Sequence, residues 1–309
     1  MDPAATLPPE TVYLPFEAGP YRMVMGLTTV AEKDWFEFDA LYPQELAERR
    51  RLLTDEHAAV FACRPEAEDA AWETLRVMAA SLAGHRPAWF GLDGDRLTNR
   101  LTGEAWNLAQ PGLHPLEVAG RLVQEDVCLI QVQDGVPVFT AAALCFPSRW
   151  RLSEKIGKPL ADVHGAVPVY PERLAAPVDR FMRHLRDGHI ASRLNWAVVD
   201  DPTLFQPTGK WKAGENAAIT DENAGHRLYL RVERQTLRRL PASGAVVFGI
   251  RVHSYRMETV IRSPEVAGRL ASAVRALPES IAHYKSLLPV RAALLGWLDP
   301  LAAVQSPMH

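Results

Sequence analysis

The amino-acid sequence predicts an α+β fold: an antiparallel five-stranded sheet with inserted helices, flanked by N- and C-terminal helical extensions. Two observations predict this class. A hairpin signal near the middle of the chain is followed by apolar residues at helical spacing, and then by three more β-like stretches. Both ends of the chain show helical spacing instead. With 309 residues, the chain is long enough to bury a sizeable apolar core.

Residues 1–115 are predicted to form the N-terminal helical extension. A helix with a polar face of Glu and Arg is expected over Gln44–Glu56. A second helix is expected over Pro65–Gly84, because proline suits the first turn of a helix and glycine suits its end. The polar run over Asp93–Gly112 is bounded by Gly and Pro, so it is predicted to be mainly loop.

Residues 116–258 are predicted to form the core. The β-type run Val127–Gln133 is followed by Asp134-Gly135, a dipeptide favoured in two-residue hairpin turns because such turns need positive φ angles. The chain then returns as a second strand over Val136–Phe146.

The inserted helices come next. Apolar residues at helical spacing predict one helix over Leu152–Val163 and another over Pro171–Leu185. Three β-like stretches follow, at Ile190–Val199, His226–Glu233 and Ala245–Tyr255. Helices between the second and third strands of an antiparallel sheet are an arrangement that PAS domains share.

Residues 259–309 are predicted to form the C-terminal helical extension. Ser263 is a plausible N-cap, and Pro264 follows it in the first helical turn. We expect the three segments to form one compact unit. The tail therefore closes the predicted fold with a helix.

The net charge, the cysteines and the lack of long apolar runs disfavour several classes of function. The net charge of −3 leaves no electrostatic footprint for nucleic acid or anionic lipid. Cys63, Cys128 and Cys145 lie far apart and form no CxxC pair, which disfavours a disulfide framework or a zinc or iron–sulfur cluster. We find no signal peptide and no run of roughly 20 apolar residues, so we expect a cytoplasmic protein.

Six strings in the chain carry a family resemblance. They are LVQEDVC (122–128), CFPSRW (145–150), EKIG (154–157), VHGAVP (163–168), RLNW (193–196) and RVERQTLRRLP (231–241). Together they resemble the haem-dependent oxidative N-demethylase alpha-subunit-like family, from Tyr21 to about Tyr255. The last string is the most specific of them.

The resemblance implies a PAS fold that holds haem b. It implies that a small secondary amine, dimethylamine, is oxidised by O₂ to methylamine and formaldehyde. Electrons would come from NADPH through partner subunits that carry flavin and an iron–sulfur cluster. The chain lacks a Gly-rich dinucleotide fingerprint and clustered cysteines, which agrees with this division of labour.

A haem iron needs an axial ligand, which is usually a histidine. PAS haem proteins place this ligand on a helix between the hairpin and the later strands, which leaves His164, His184 and His189. His164 lies in the VHGAVP string at the end of a predicted helix, and we select it as the proximal ligand. Cys145 is the thiolate alternative.

The strand within the RVERQTLRRLP string supplies the catalytic candidates. Alternation places Arg231 and Glu233 on one face of the strand, with Arg234 at its end. Arginine suits haem propionates, and a buried glutamate could hold an ammonium group or relay a proton. The competing interpretation is an edge strand with solvated charge pairs.

Further cofactor-binding candidates are the side chains that could reach a propionate or line the pocket: Lys155, Arg238, Arg251 and Tyr255. His253 shares the strand face of Arg251 and Tyr255. Asn195 and Trp196 are weaker candidates, with strand-end hydrogen bonding and core packing as their ordinary roles.

Two other functions compete with an oxygenase subunit. A PAS-type sensor would bind haem or another small ligand without catalysis. The roughly 50 residues after Met257 lie near the bottom of domain sizes, which leaves little room for an output domain on this chain. A haem-free protein would use the arginines to bind an anionic substrate.

Overall fold

A seven-stranded antiparallel sheet lies at the centre of the computed structural model, which describes residues 7–210, 214 and 216–304. The strands of this part of the chain are β1 (Thr28–Val30), β2 (Phe61–Cys63), β3 (Phe90–Asp93), β4 (Arg96–Asn99), β5 (Glu104–Asn107), β6 (Asp126–Gln133), β7 (Val136–Ala143), β8 (Ile190–Val199), β9 (Tyr229–Arg239) and β10 (Val246–Arg256). The large sheet has the order β1-β8-β9-β10-β6-β7-β2. The α+β class is therefore confirmed.

The prediction of five strands is corrected to seven. All five predicted strands are present as neighbours, and β1 and β2 extend the two edges by pairing with β8 and β7. Each added strand has only three residues. So short a segment shows no alternation of polarity, and its strand character depends on the neighbour it pairs with.

The predicted loop over Asp93–Gly112 contains much of a second sheet. It has three short antiparallel strands in the order β3-β4-β5. Leu97 is fully buried and Trp106 is largely buried, so this small sheet packs against the apolar core. The loop prediction was based on Gly and polar residues. These residues are also frequent in the tight turns between such short strands, so the segment was predicted to be loop.

The helices lie before, between and after the strands. They are α1 (Tyr42–Asp55), α2 (His57–Val60), α3 (Glu68–His85), α4 (Pro115–Gly120), α5 (Leu160–Val163), α6 (Ala176–His184), α7 (Ala224–Arg227), α8 (Met257–Val260), α9 (Pro264–Ala276), α10 (Glu279–Tyr284) and α11 (Arg291–Ala303). Short 3-10 turns occur at Glu32–Asp34, Pro65–Ala67, Leu152–Glu154 and Leu288–Val290, and a π-helical turn at Pro171–Ala175. The predicted N-cap is confirmed, since the Ser263 hydroxyl accepts the Val266 N–H at 3.2 Å. Among the described residues, no helix is both long and apolar enough to span a bilayer.

The large sheet has two differently covered faces. One face carries Leu230, Val232 and Val247 and packs against the N- and C-terminal helices; we call it the extension face. The other carries Leu237 and Val252 and packs against residues 147–189; we call it the insert face. The helical insertion therefore covers one face of the sheet. The division into residues 1–115, 116–258 and 259–309 stays a prediction.

The insert departs from its predicted helices. The expected helix over Leu152–Val163 is a 3-10 turn, a break and then α5. Gly157 in the break has a φ of 79°, and its N–H donates to the Phe139 carbonyl at 2.7 Å. Pairing with β7 therefore competes with helix continuation, and a positive φ favours glycine there. The second helix is present as the π-helical turn and α6.

Strand β9 is longer than predicted. The chain is helical at Ala224–Arg227, and the strand then runs from Tyr229 to Arg239 between β8 and β10. Arg234 therefore lies in the middle of a strand and not at its end. Pairing with β8 and β10 holds this polar segment in an extended conformation. The sequence of the segment itself indicates that conformation only in part.

Candidate functional site

A polar patch occupies the centre of the insert face. Arg193 and Asn195 of β8 lie opposite Gln235 and Glu233 of β9. All four side chains are only part-buried, although the sheet around them is largely buried. Apolar packing therefore does not fill the space over this part of the sheet.

Three side chains donate hydrogen bonds to the carboxylate of Glu233. The Ser148 hydroxyl donates at 2.6 Å, the Gln235 amide at 2.9 Å and the Asn195 amide at 3.3 Å. Burial acts to raise the pKa of Glu233, but the Ser148 hydrogen bond and the charge of Arg231 hold the pKa below its usual value. Glu233 is therefore an anion at neutral pH.

Arg231 lies on the same face as Glu233, as predicted, and is almost fully buried. Its Nε donates to the Ser148 hydroxyl at 2.9 Å. The rest of its guanidinium donates to the backbone carbonyls of Thr203, Leu204, Phe146 and Pro147, at 2.9–3.4 Å. All three of its nitrogens are thus engaged. Arg231 holds two loops together and positions Ser148 against Glu233.

Four other cationic side chains interact electrostatically with Glu233; they are Lys155, Arg193, Lys210 and Lys285. Burial lowers the pKa of Lys155 and of Lys285 to about 8. Lys285 donates to the Asn195 amide oxygen at 3.3 Å and to the Trp196 carbonyl at 2.5 Å. Lys155 lies 4.0 Å from the ring centre of Trp150. Positive charge is therefore in excess around Glu233.

His164 lies directly after α5, beside these cations. Its Nδ1 is 2.8 Å from the Leu160 carbonyl, and its ring stacks on Tyr170 at 4.7 Å between centroids. Burial, helped by the charges of Lys155 and Arg193, lowers the pKa of His164 to about 4. The ring is therefore neutral. Since a carbonyl only accepts, Nδ1 carries the proton, and Nε2 has a lone pair without a hydrogen-bond partner among the described residues.

The groups around His164 fit a haem. A neutral histidine whose Nδ1–H is tied to a backbone carbonyl is the usual state of a metal-binding imidazole. Surplus cations suit two propionates. Apolar side chains that are only part-buried complete the lining of the insert, namely Trp150, Ile156, Val163, Val178 and Phe181. A neutral imidazole, apolar side chains and surplus cations therefore belong to the same part of the insert face, a combination of groups that suits a haem.

Comparison with known families decides the relationship. A model of the family described as haem-dependent oxidative N-demethylase, alpha subunit-like, matches residues 26–295. This chain belongs to that family. The match covers every residue of the site described above, and the resemblance seen in the sequence is confirmed. The name of the N-demethylase family indicates haem dependence, an oxidoreductase and further subunits.

The catalytic candidate Arg234 and several of the predicted cofactor residues of this family member lie on the extension face instead. Arg234 donates to the backbone carbonyls of Asp34 and Trp35, the latter at 3.2 Å. Arg238 pairs with Glu32 and lies 4.2 Å from the ring centre of Trp35. The structure therefore separates Arg234 and Arg238 from Glu233 and His164. Both hold the N-terminal segment against the sheet.

The polar face of β10 is covered in the same way. Arg251 is fully buried and pairs with Asp39 and Glu45, each at 2.8 Å. His253 lies between Glu10 and Glu37, at 3.0 and 3.1 Å. Tyr255, the neighbouring candidate on this face, donates its hydroxyl proton to the Thr11 carbonyl. Contacts to the N-terminal segment thus occupy the polar groups that were predicted to bind the cofactor.

The alternative iron ligands differ from His164 in their surroundings. His184 and His189 are exposed. Cys145 is buried beside the Arg49–Asp126 ion pair, and burial raises the pKa of its thiol to about 12. A thiolate is therefore disfavoured at Cys145.

Sequence reasoning missed several members of the patch. Ser148 and Arg193 lie within two of the family-like strings, which was the available signal. Tyr284, which also interacts electrostatically with Glu233, is another member. Lys210, Tyr284 and Lys285 had no local signal, because they come from a loop and from the end of α10. Their position beside Glu233 depends entirely on tertiary packing.

Glu125 is an acid whose burial makes stability depend on pH. Its Oε1 accepts the Glu37 N–H at 2.9 Å, and its Oε2 has no partner among the described residues. Burial raises the pKa of Glu125 from about 4.5 to about 7. A raised carboxyl pKa gives stability that is complete below pH 4.5 and is lost as pH rises through 7.

We therefore expect Glu125→Gln to raise the free energy of unfolding at pH 8 relative to wild type, by on the order of 1–3 kcal/mol, and to change it little at pH 4.5. Urea denaturation at pH values between about 4.5 and 8 measures this free energy of unfolding. The exposed Glu172→Gln variant is the control and should follow wild type. Parallel curves for Glu125→Gln and wild type would contradict the expectation.

Proposed function

We propose that this chain is the haem-binding subunit of an oxidative N-demethylase acting on a small secondary amine such as dimethylamine. In this reaction the amine, O₂, two electrons and two protons yield the primary amine, formaldehyde and water. The observation that carries the proposal is neutral His164, with its Nε2 lone pair directed by the Leu160 hydrogen bond, beside surplus cations and the Glu233 carboxylate.

The haem would be haem b, held between the insert and the sheet, and His164 would bind its iron. When bound, it supplies the iron that activates O₂. Lys155 and Lys210 are the candidates for the propionates, because both are part-buried cations that interact with His164. The apolar side chains of the insert would exclude water from the reacting centre.

Glu233 would hold the amine. A secondary ammonium ion that enters a dry site without an acceptor loses several kcal/mol of hydration. Ser148, Asn195 and Gln235 orient the Glu233 carboxylate, and the anchored Arg231 holds Ser148. As an anion, Glu233 can also accept the ammonium proton before the N-methyl group is oxidised.

The arrangement of the core supports a PAS-like fold for residues 116–258, since the inserted helices join the second and third strands of the central five and cover one sheet face. We further propose that NADPH electrons arrive through partner subunits that carry flavin and an iron–sulfur cluster. The three cysteines of this chain are unpaired and dispersed, so they offer no cluster site of their own.

Exchange of Glu233 for glutamine tests the amine-binding role. The change removes the negative charge but keeps the shape, and a hydrogen bond to a charged group is worth about 1.5–3 kcal/mol. We expect amine affinity to fall about 10-fold or more while haem remains bound. Titration of the haem-loaded protein with dimethylamine, followed by its Soret absorption, measures this affinity.

The control is Glu172→Gln, an exposed acid on the same insert, which should bind dimethylamine as wild type does. Equal affinity in Glu233→Gln and wild type would remove Glu233 from the amine site. A wild-type protein that shows no Soret band after expression in haem-replete cells would refute the proposed function as a whole.

A further inference from the structure

Arg193 is a cationic residue of β8. It lies on the insert face diagonally across from Glu233, because Arg193 pairs in register with Gln235 and Glu233 with Asn195. Among the described residues, Arg193 forms no ion pair within 4 Å, and its Nε is buried without a hydrogen-bond acceptor. Arg193 and Glu233 still interact electrostatically, so the two opposite charges face the same region without touching.

Tyr170 contributes a second unpaired donor beside Arg193. Its side chain is almost fully buried, and its hydroxyl also lacks a partner among the described residues. The two groups interact electrostatically, and the Tyr170 ring stacks on His164. A buried donor without an acceptor is costly, so two adjacent ones indicate an acceptor that binds there.

The charge balance indicates that this acceptor is an anion. Lys155, Arg193, Lys210 and Lys285 all interact with Glu233. Glu154 is a second anion beside Lys155 and Lys210, whereas the guanidinium of Arg193 forms no ion pair among the described residues. A carboxylate at Arg193 would supply a counter-charge, which a bare ammonium substrate would not. Guanidinium and phenol groups together suit a carboxylate well.

We propose that the substrate is an N-methyl amino acid, whose carboxylate binds Arg193 and Tyr170 while its ammonium group binds Glu233. The inference rests on the proposed function and narrows its substrate class. An α-amino acid carries an ammonium and a carboxylate group in one small molecule, so it can bridge two opposite protein charges that do not touch each other. The N-methyl carbon leaves as formaldehyde and the amino acid is released, with O₂ and the electron-donating partner balancing the reaction as before.

Spectroscopic titration of the haem-loaded protein tests the proposal with two probes, N-methylglycine and dimethylamine. We expect wild type to bind N-methylglycine about 10-fold or more tightly than dimethylamine, because only the former engages Arg193. Arg193→Gln should abolish this preference. Tyr170→Phe, which keeps the ring that stacks on His164, should reduce it several-fold. Arg173→Gln is the control, since Arg173 is exposed on the insert.

The outcomes separate the proposal from the function on which it rests. If wild type binds dimethylamine at least as tightly as N-methylglycine, the amino-acid substrate is refuted and the demethylase proposal remains. If Arg193→Gln or Tyr170→Phe loses haem while its circular dichroism is unchanged, the carboxylate at this position is a propionate and the proposal fails. If neither amine perturbs the Soret band, the proposed function itself fails.

Discussion

Replacement of His164 by alanine is expected to abolish stable haem binding. Nε2 is the only nitrogen of this ring with a lone pair free to bind a metal, because Nδ1–H donates to the Leu160 carbonyl. Mutation of groups that merely orient a ligand costs about 10- to 100-fold in metal affinity, so loss of the ligand itself should cost at least about 100-fold. The Soret absorption of purified protein and a haem titration measure the loss.

His184→Ala provides a closely matched control. His184 also ends a helix, and its Nδ1 lies 2.7 Å from the Arg180 carbonyl, but its side chain is exposed. This variant should retain haem as wild type does. Added imidazole should restore the Soret band of His164→Ala, because it can fill the vacated position. An unchanged Soret band in His164→Ala would exclude His164 as the ligand.

Replacement of Arg251 by methionine is expected to destabilise the fold by about 3–5 kcal/mol. Arg251 is fully buried and pairs with both Asp39 and Glu45. Its removal leaves Asp39 without this cation and Glu45 with only the charge of Arg49, so the two buried carboxylates must either stay charged at high cost or take up protons. Urea denaturation at pH 7, compared with wild type, measures the change in the free energy of unfolding.

Arg256→Met is the control for this experiment, because Arg256 lies on the same strand but is 40% exposed. A surface change of this kind usually alters stability by less than about 0.5 kcal/mol. The experiment also decides between the predicted and observed environments of Arg251. If Arg251→Met lost haem at unchanged stability, Arg251 would belong to the cofactor site as the sequence had indicated.

Local signals predicted most of the core. Asp134 and Gly135 have φ angles of 49° and 81°, as the hairpin dipeptide requires, and the Ser263 cap is present. Both depend on a few consecutive residues, so the sequence alone reports them. The edge strands β1 and β2 and the small sheet were missed, because three- and four-residue strands are too short to show a period of two.

The site was predicted in part for a similar reason. Alternation along a strand shows that Arg231 and Glu233 share a face and that Arg234 points the other way, once the strand is known to continue past Glu233. Alternation does not show which segment of the chain will cover each face. The polar face of Arg251 and Tyr255 was therefore as plausible a lining as that of Glu233 until the N-terminal segment was seen on it.

The sequence by itself determined the α+β class, the hairpin, the helical insertion, the family, and the candidates His164 and Glu233. Tertiary structure alone decided that Arg234, Arg238 and Arg251 bind the N-terminal segment, and that Arg193, Lys210 and Lys285 converge on Glu233. The physical reason is distance along the chain. The spacing of apolar residues and the capping of helices depend on a few neighbouring residues. These charges, in contrast, meet only because strand register and helix docking bring distant segments to one face.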